Sequence, residues 1–527
     1  MIEANLQGID LVIIIAYFVF IIALGLYYSR KQDDAEDYFL ASRSMLWPII
    51  GLSLIASNIS STTFVGLAGE AYSTGISVFN YEWMAAVVLV FYAVFMLPFV
   101  LQSKVFTMPE FLEKRFDRRA RNYFSALTLF LNVVVDTAGT LYAGALIVQM
   151  IYPDIPIWMT IAAIAGLSGI YTIAGGLSAV MITDSVQAIL LFIGAFVIAI
   201  TAFDKLGGWE VMINDAPPDK LSLVRPLDDP GVPWLGLVTG VPLLGFYFWC
   251  TNQFMAQRVL AAKNVHQGRY GALFAGLLKL PVLFIMVLPG VMAIGLYPNL
   301  AKPDMVFPTL MFDLLPTGLL GLVLAGFLAA LMGTLSSTMN SASTLATMDF
   351  VKELWPDLSS HQLMRIGMVV TFVFMVIAVA WAPQIERFAS LFQYLQAILS
   401  YSVPPVVAMF LIGIFWPRAT GHGAMVALSV GIIAGVGLFL ANEVFSVFHL
   451  HFLYIAPILF VISAAALVIG SLQSEPDDPA VVLPLTWTRS YYTEETQRLS
   501  TQPWYQNYRV LSALLLILTG LVVVSFW

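Results

Sequence analysis

The chain has 527 residues, 60% of them hydrophobic and only 11% charged, with a mean hydropathy of +0.87. No soluble fold of this size buries so much apolar surface, so the composition requires a polytopic membrane protein, and the net charge of −8 carries no message about partners. Nucleic acid is not indicated, the single Cys250 excludes an intrachain disulfide framework or a paired-cysteine metal site, and the five histidines lie at or near predicted loops without metal-ligand spacing.

Apolar runs of about 20 residues read as membrane spans. Fourteen occur, near 7–29, 46–68, 80–101, 122–151, 156–178, 184–203, 233–254, 270–297, 311–347, 363–383, 388–414, 421–441, 452–472 and 508–527. Glu3 and Asp10 stand where a cleaved signal peptide would be basic, so 7–29 reads as a retained helix. With the N-terminus outside, eighteen of the 24 basic residues, starting with Arg30 and Lys31, fall in inside loops and five in outside loops, with Lys279 alone inside a span. That asymmetry predicts both termini outside. The loops 204–232 and 473–507 read as connectors, and the basic run 113–121 as a topology anchor at the lipid surface.

The second span is anomalous. Ser57, Asn58, Ser60, Ser61, Thr62 and Thr63 crowd into seven positions, and Glu82 follows in the next span. Polar groups in hydrocarbon need partners, so such a run lines a cavity or holds a ligand. Packing of hydroxyls between close helices is the competing reading, and it weakens for six residues beside a membrane acid. In span 4, Asp136 could bind a cation, relay a proton or hold helices together. Asp184 stands at the predicted start of span 6, where a helix cap competes with a functional role. Span 7, TGVPLLGFYFWCTNQ, is interrupted by Gly240, Pro242 and Gly245. Interrupted spans five apart predict two inverted five-helix repeats, 46–203 and 233–414, in one transmembrane domain 1–527, with 1–45 and 415–527 peripheral.

Lys279 in span 8 complements Glu82; the two can hydrogen-bond a sugar's hydroxyls or form a structural ion pair. Span 9 carries a second polar run, Thr334, Ser336, Ser337, Thr338, Asn340, Ser341, Ser343 and Thr344, whose oxygens suit a hard cation. Gln393 and Gln396 in span 11 are three apart, hence on one helix face, and their amides suit a neutral hydroxylated solute. Tyr247, Phe248 and Trp249 could stack on a sugar ring, gate it, or simply pack.

The stretches SLIASNISSTTFVGLAG, YSTGISVFNYEWM, TMPEFLEKRF, YTIAGGLSAVMITDSVQ, FYFWCTNQFMAQRVLAAKN, LLKLPVLFIMVLPG, MNSASTLATMDFVKE and LFQYLQAILSYSVPP, in this order, resemble the sodium/solute symporter family, and within it the sodium–glucose and sodium–galactose cotransporters. The resemblance implies an all-α, LeuT-type 5+5 inverted-repeat core with broken helices in segments 2 and 7. It implies a Na⁺ site made by the carbonyls of Ala56, Ile59 and Ala330 with the hydroxyl of Thr334. Gly333 stands where the family usually has a second hydroxyl. A further sodium site of some members is matched by Asp184, Ser336 and Ser337. Glu82, Lys279 and Gln396 match sugar-binding positions. Thr63 replaces an amide-bearing residue, Gly245 a polar one and Phe248 a tyrosine, so the expectation is a sugar-like solute rather than glucose or galactose itself.

The expected function is Na⁺-coupled symport into the cell by alternating access, in the plasma or inner membrane. Proton-coupled uptake of an anionic, uronate-like sugar through Asp136 and Asp184 is the runner-up, followed by a non-transporting sugar sensor or cation leak. An enzyme is disfavoured because no nucleophile–base or metal constellation appears.

Overall fold

The computed structural model describes residues 6–29, 40–171 and 177–527; Arg30, Lys31 and the segment 172–176 lie outside the described residues. Among the described residues every regular element is helical, as a chain in hydrocarbon requires, because a helix pairs its own backbone. The helices used below are α1 (Gly8–Ser29), α2 (Trp47–Asn58), α3 (Ser61–Thr74), α4 (Phe79–Phe91), α5 (Met108–Arg115), α6 (Arg118–Leu131), α7 (Ala138–Ile151), α8 (Ile157–Tyr171), α9 (Leu177–Leu206), α10 (Trp234–Phe246), α11 (Gln253–Leu260), α12 (Val265–Leu278), α13 (Leu288–Leu296), α14 (Val306–Leu314), α15 (Leu319–Leu345), α16 (Ser360–Trp381), α17 (Leu391–Ser402), α18 (Pro404–Phe415), α19 (Gly421–Phe439), α20 (Phe452–Leu472), α21 (Arg489–Ser500) and α22 (Tyr508–Ser525).

Among the described residues ten helical stretches are long and apolar enough to cross a membrane, or eleven if α17 and α18, bent by 57°, form one span. The stretch Arg118–Ile151 is 89% buried in its apolar window, whereas Arg365–Arg387 is 17% buried and Tyr508–Ser525 22%. The first is therefore an inner element and the other two face lipid. The 42-residue stretch Ser61–Gln102 cannot be one rod. At 1.5 Å per residue it would reach about twice the ~30 Å hydrocarbon core. It turns at Gly75, whose φ of +85° belongs to the left-handed region, and a Cβ there would strike the backbone of Lys220.

The second span breaks where its polar run begins. Helix α2 stops at Asn58, Ile59 adopts φ −81° and ψ 64°, Ser60 is extended, and α3 starts at Ser61. Span 7 departs from expectation. Helix α10 passes unbroken through Gly240, Pro242 and Gly245, runs into a π-turn at Tyr247–Thr251, and the chain leaves the helix only at Asn252 (ψ 128°). Asn252 caps α11 by accepting from the Phe254 N–H at 3.1 Å, a side-chain bond that competes with helix continuation. Gly240 serves packing instead, since a Cβ there would collide with the backbone of Leu453 on α20.

The basic run 113–121 is only partly a surface feature. Arg115 is buried and donates to the carbonyls of Gly413, Ala419 and Trp416 at 2.7, 3.0 and 3.1 Å, satisfying acceptors at the C-terminal end of α18. Arg121 bridges Glu113 and Asp349, and Arg118 pairs with Glu353. Arg115 and Arg121 thus answer buried acceptors, the carbonyls ending α18 and the Asp349 carboxylate, whereas Arg118 and Glu353 pair at the surface.

Candidate functional site

The break in span 2, α4, the π-turns Asn132–Thr137 and Tyr247–Thr251, α15 and α17 converge on a cavity of about 130 Å³. One water needs about 10–15 Å³ of such space, so the cavity holds on the order of ten small groups, close to the non-hydrogen atom count of a monosaccharide. Of the sequence-predicted solute residues, Thr63, Glu82, Gly245, Phe248 and Gln396 lie on its wall. Tyr81 and Phe392, also on the wall, meet edge to face at 4.9 Å.

Lys279 lies behind the wall. It is fully buried at the end of α12 and donates to both Glu82 Oε2 and Asn58 Oδ1. Its ammonium also stands 5.2 Å from the centre of the Trp249 ring. Removing one member of a buried ion pair strands the other, so this arrangement fixes Glu82 at the cavity edge. Asn58 is the residue that sequence reasoning did not single out. Its side chain takes Lys279, and its backbone carbonyl takes the Thr63 hydroxyl across the break. The only signal was its place in the polar run.

Gln393 lies elsewhere. Its amide donates to Glu70 Oε1 at 3.1 Å, and Ser390, which caps α17, donates to Glu70 Oε2 at 2.5 Å. Three residues shift a side chain by about 4.5 Å along a helix, enough to send Gln393 and Gln396 to different partners.

The break leaves three backbone carbonyls, those of Ala56, Ser57 and Ile59, without a donor among the described residues, while Ile55 and Ser60 accept from Ile59 N–H and from Thr63 and Phe64 N–H. Unpaired carbonyls at membrane depth are the ligands a hard cation takes where a helix unwinds. On α15, Thr334 faces the same cavity and donates to Ala330 O at 2.9 Å, which leaves its hydroxyl oxygen able to accept a cation. These residues therefore fit Na⁺.

Asp184 is not a cap, because α9 begins seven residues earlier at Leu177. It pairs with Arg258 at 3.0 Å, and Arg258 in turn holds Ser53 Oγ of α2 at 3.1 Å. Its Oδ1 lies 4.0 Å from where a Cβ on Gly333 would stand, and Gly333 is otherwise in open space. Asp184 thus sits between α2, α9, α11 and the first turn of the α15 polar run. Ser336 and Ser337 are half-buried on that run. Of the polar run, Ser57 donates to Ser53 O at 2.7 Å and Ser60 pairs with Thr62 at 2.7 Å, so these hydroxyls serve the backbone and each other.

An ion-paired acid, freed carbonyls at a helix break and a solute-sized cavity at membrane depth define a cation-coupled secondary transporter. A family model described as the sodium:solute symporter family matches residues 38–431. Sodium/glucose cotransporter 4 of Danio rerio is 34% identical, covering 95% of this chain and 84% of its own length. Sodium/myo-inositol cotransporter 2 of Oryctolagus cuniculus is 33% identical over 92% of this chain and 80% of its own. Among solved structures, the substrate-bound outward-open state of a Na⁺-coupled sialic acid symporter superposes with a TM-score of 0.76 at 24% identity, covering 90% of this chain and all of that one. A nucleobase-cation-symport-1 family transporter shares the fold at a TM-score of 0.55 and 13% identity. The chain belongs to the sodium:solute symporter family. It is a multi-pass, LeuT-type transporter rather than an enzyme, and Na⁺ is its coupling ion.

Proposed function

We propose that the protein carries a sugar or sugar-like polyol into the cell together with Na⁺. The observation that carries this reading is a Lys279-held Glu82 on the wall of a cavity also lined by the span-2 break at Ser57, Asn58 and Ser60, where the carbonyls of Ala56 and Ile59 lack donors. Na⁺ is taken by those carbonyls with Ala330 O and Thr334, joining the span-2 break to α15. The solute then lies against Glu82, Gln396 and Phe248, with Gly245 leaving room where a Cβ would approach Val88 to 3.3 Å. Alternating access moves both across. One charge falling through 100 mV yields about 2.3 kcal/mol. At 1.4 kcal/mol per tenfold this concentrates a neutral solute roughly 40-fold per ion. A second ion at Asp184, Ser336 and Ser337 would square that ratio.

Fourteen spans, two inverted repeats at 46–203 and 233–414, and both termini outside complete the proposal. Supporting the count, the shorter apolar helices Gly8–Ile21, Trp47–Asn58 and Ile157–Gly166 fall on spans expected from sequence, and the last two belong to α2 and α8. Supporting the repeat, the chain breaks once at Ile59 and Ser60 and again at Asn252, five spans on.

The test is solute uptake by purified protein in liposomes with imposed Na⁺ or proton gradients at fixed voltage. Uptake driven by Na⁺ at constant pH is expected; uptake that follows the proton gradient alone overturns the coupling, and binding without accumulation would make the protein a sensor. A second prediction concerns Gly333. A side chain there has space, so Gly333→Ser is expected to leave stability unchanged and to lower the half-saturating Na⁺ concentration. One added oxygen ligand worth about 1 kcal/mol corresponds to roughly a fivefold change.

A further inference from the structure

One acid at the cavity has no assigned work. Asp136 lies in the π-turn Asn132–Thr137, a local irregularity of the kind that recurs at functional positions, and it forms part of the cavity wall. Among the described residues no ion pair and no hydrogen-bond donor reaches its carboxylate. The other membrane-depth acids differ: Glu82 has Lys279, Asp184 has Arg258, and Glu70 accepts from Ser390, Gln393 and Thr74. The hydroxyls nearest to Asp136 in the chain are committed. Thr140 donates to the Asp136 carbonyl at 2.6 Å, and Thr137 pairs with Thr338 at 3.3 Å. Tyr394, from α17, donates to Val134 O at 2.5 Å.

The wall therefore bears one carboxyl group that no cation faces, an uncompensated negative charge whenever it is ionised. Among the described residues no basic side chain lines the cavity, and Lys279 behind it is already shared between Glu82 and Asn58. A carboxylate in a site of low dielectric must be hydrated, given donors or neutralised by a proton. A solute that displaces the cavity water must replace them.

We infer that Asp136 sets the charge class of the solute: it is read by a hydroxyl or a protonated amine that donates to its carboxylate, and anionic solutes are refused. This rests on the sugar-like reading above and narrows it. A neutral polyol brings donors, an amino sugar adds an ammonium, and a uronate brings a second negative charge with no cation left to meet it. The uronate alternative raised from sequence is thereby disfavoured.

The test compares D-glucose, D-glucosamine and D-glucuronate at pH 6.5. Binding is read from tryptophan fluorescence, using Trp249 on the wall, and uptake from Na⁺-driven accumulation. The native protein is expected to bind glucosamine at least as tightly as glucose and glucuronate at least tenfold more weakly. In Asp136→Asn the advantage of the amine over the acid is expected to shrink by tenfold or more. Thermal unfolding of this variant should not fall, since it removes a charge without a partner. Equal loss of all three ligands, a marked drop in unfolding temperature, or native uptake of glucuronate equal to that of glucose overturns the inference. If no sugar binds, ethanolamine and glycolate are compared instead. Preference for the cation there, lost in Asp136→Asn, keeps the charge rule while the sugar reading fails, and no preference ends both.

Discussion

Replacing Lys279 with methionine is expected to abolish Na⁺-driven uptake and to destabilise the protein by about 3–5 kcal/mol, the usual cost of stranding one member of a buried pair. Glu82 would be left without its cation at a position 5% exposed. The Asn58 side chain would lose its donor at the same time. Glu82→Gln alone strands the ammonium instead, although Asn58 still accepts from it and the Trp249 ring still faces it, so its stability cost should be smaller. The double variant Glu82→Gln, Lys279→Met carries neither charge and should recover most of the lost stability while remaining inactive. Unfolding temperature and uptake, measured on all three, separate a pair that only holds helices together from one that presents an acceptor to solute. Full activity of the double variant would sink the binding role.

Thr334→Val is expected to raise the half-saturating Na⁺ concentration by roughly 10- to 100-fold, from the 1.5–3 kcal/mol typical of an oxygen facing a charged group. Valine nearly matches threonine in shape, so packing around α15 changes little. The hydroxyl's bond to Ala330 O is a helical back-bond and costs little to lose. Solute affinity at saturating Na⁺ should stay within a few-fold of the native value. Initial uptake rates over a Na⁺ series at fixed solute provide the measurement. An unchanged Na⁺ dependence would remove Thr334 from the cation site.

The features legible in the sequence share a cause: each is forbidden in lipid unless something answers it. Six polar residues in seven positions had to mark an irregular backbone, and the break falls at Ile59 and Ser60 within them. Two lone charges in adjacent apolar surroundings had to find each other or water, and Glu82 and Lys279 meet across 197 residues. Where composition offered two explanations, local sequence misled. Gly240, Pro242 and Gly245 look like helix breakers, but a membrane helix tolerates them because its other backbone bonds have no rival in hydrocarbon. The true exit at Asn252 depends on a side-chain cap that is indistinguishable from any polar residue in the linear text. Gln393, and Arg115 within the basic run 113–121, departed from expectation for a related reason. Their partners, Glu70 and the carbonyls ending α18, lie on distant segments, and no periodicity encodes which acceptor a long polar side chain will find.

Asn58 carries a consequence for energetics. Its backbone carbonyl is fastened to Thr63 and lies two residues after the free carbonyl of Ala56 and one before that of Ile59, while its amide oxygen steadies the ammonium that orients Glu82. In the proposed binding mode both ligands would act on this single residue, and linkage would make the effect mutual: whatever factor Na⁺ adds to the affinity for solute, solute adds to the affinity for Na⁺. Asn58→Ala should then leave each ligand able to bind alone yet shrink that shared factor toward one. The visible symptom would be slippage, with Na⁺ crossing unaccompanied and the gradient dissipating without work.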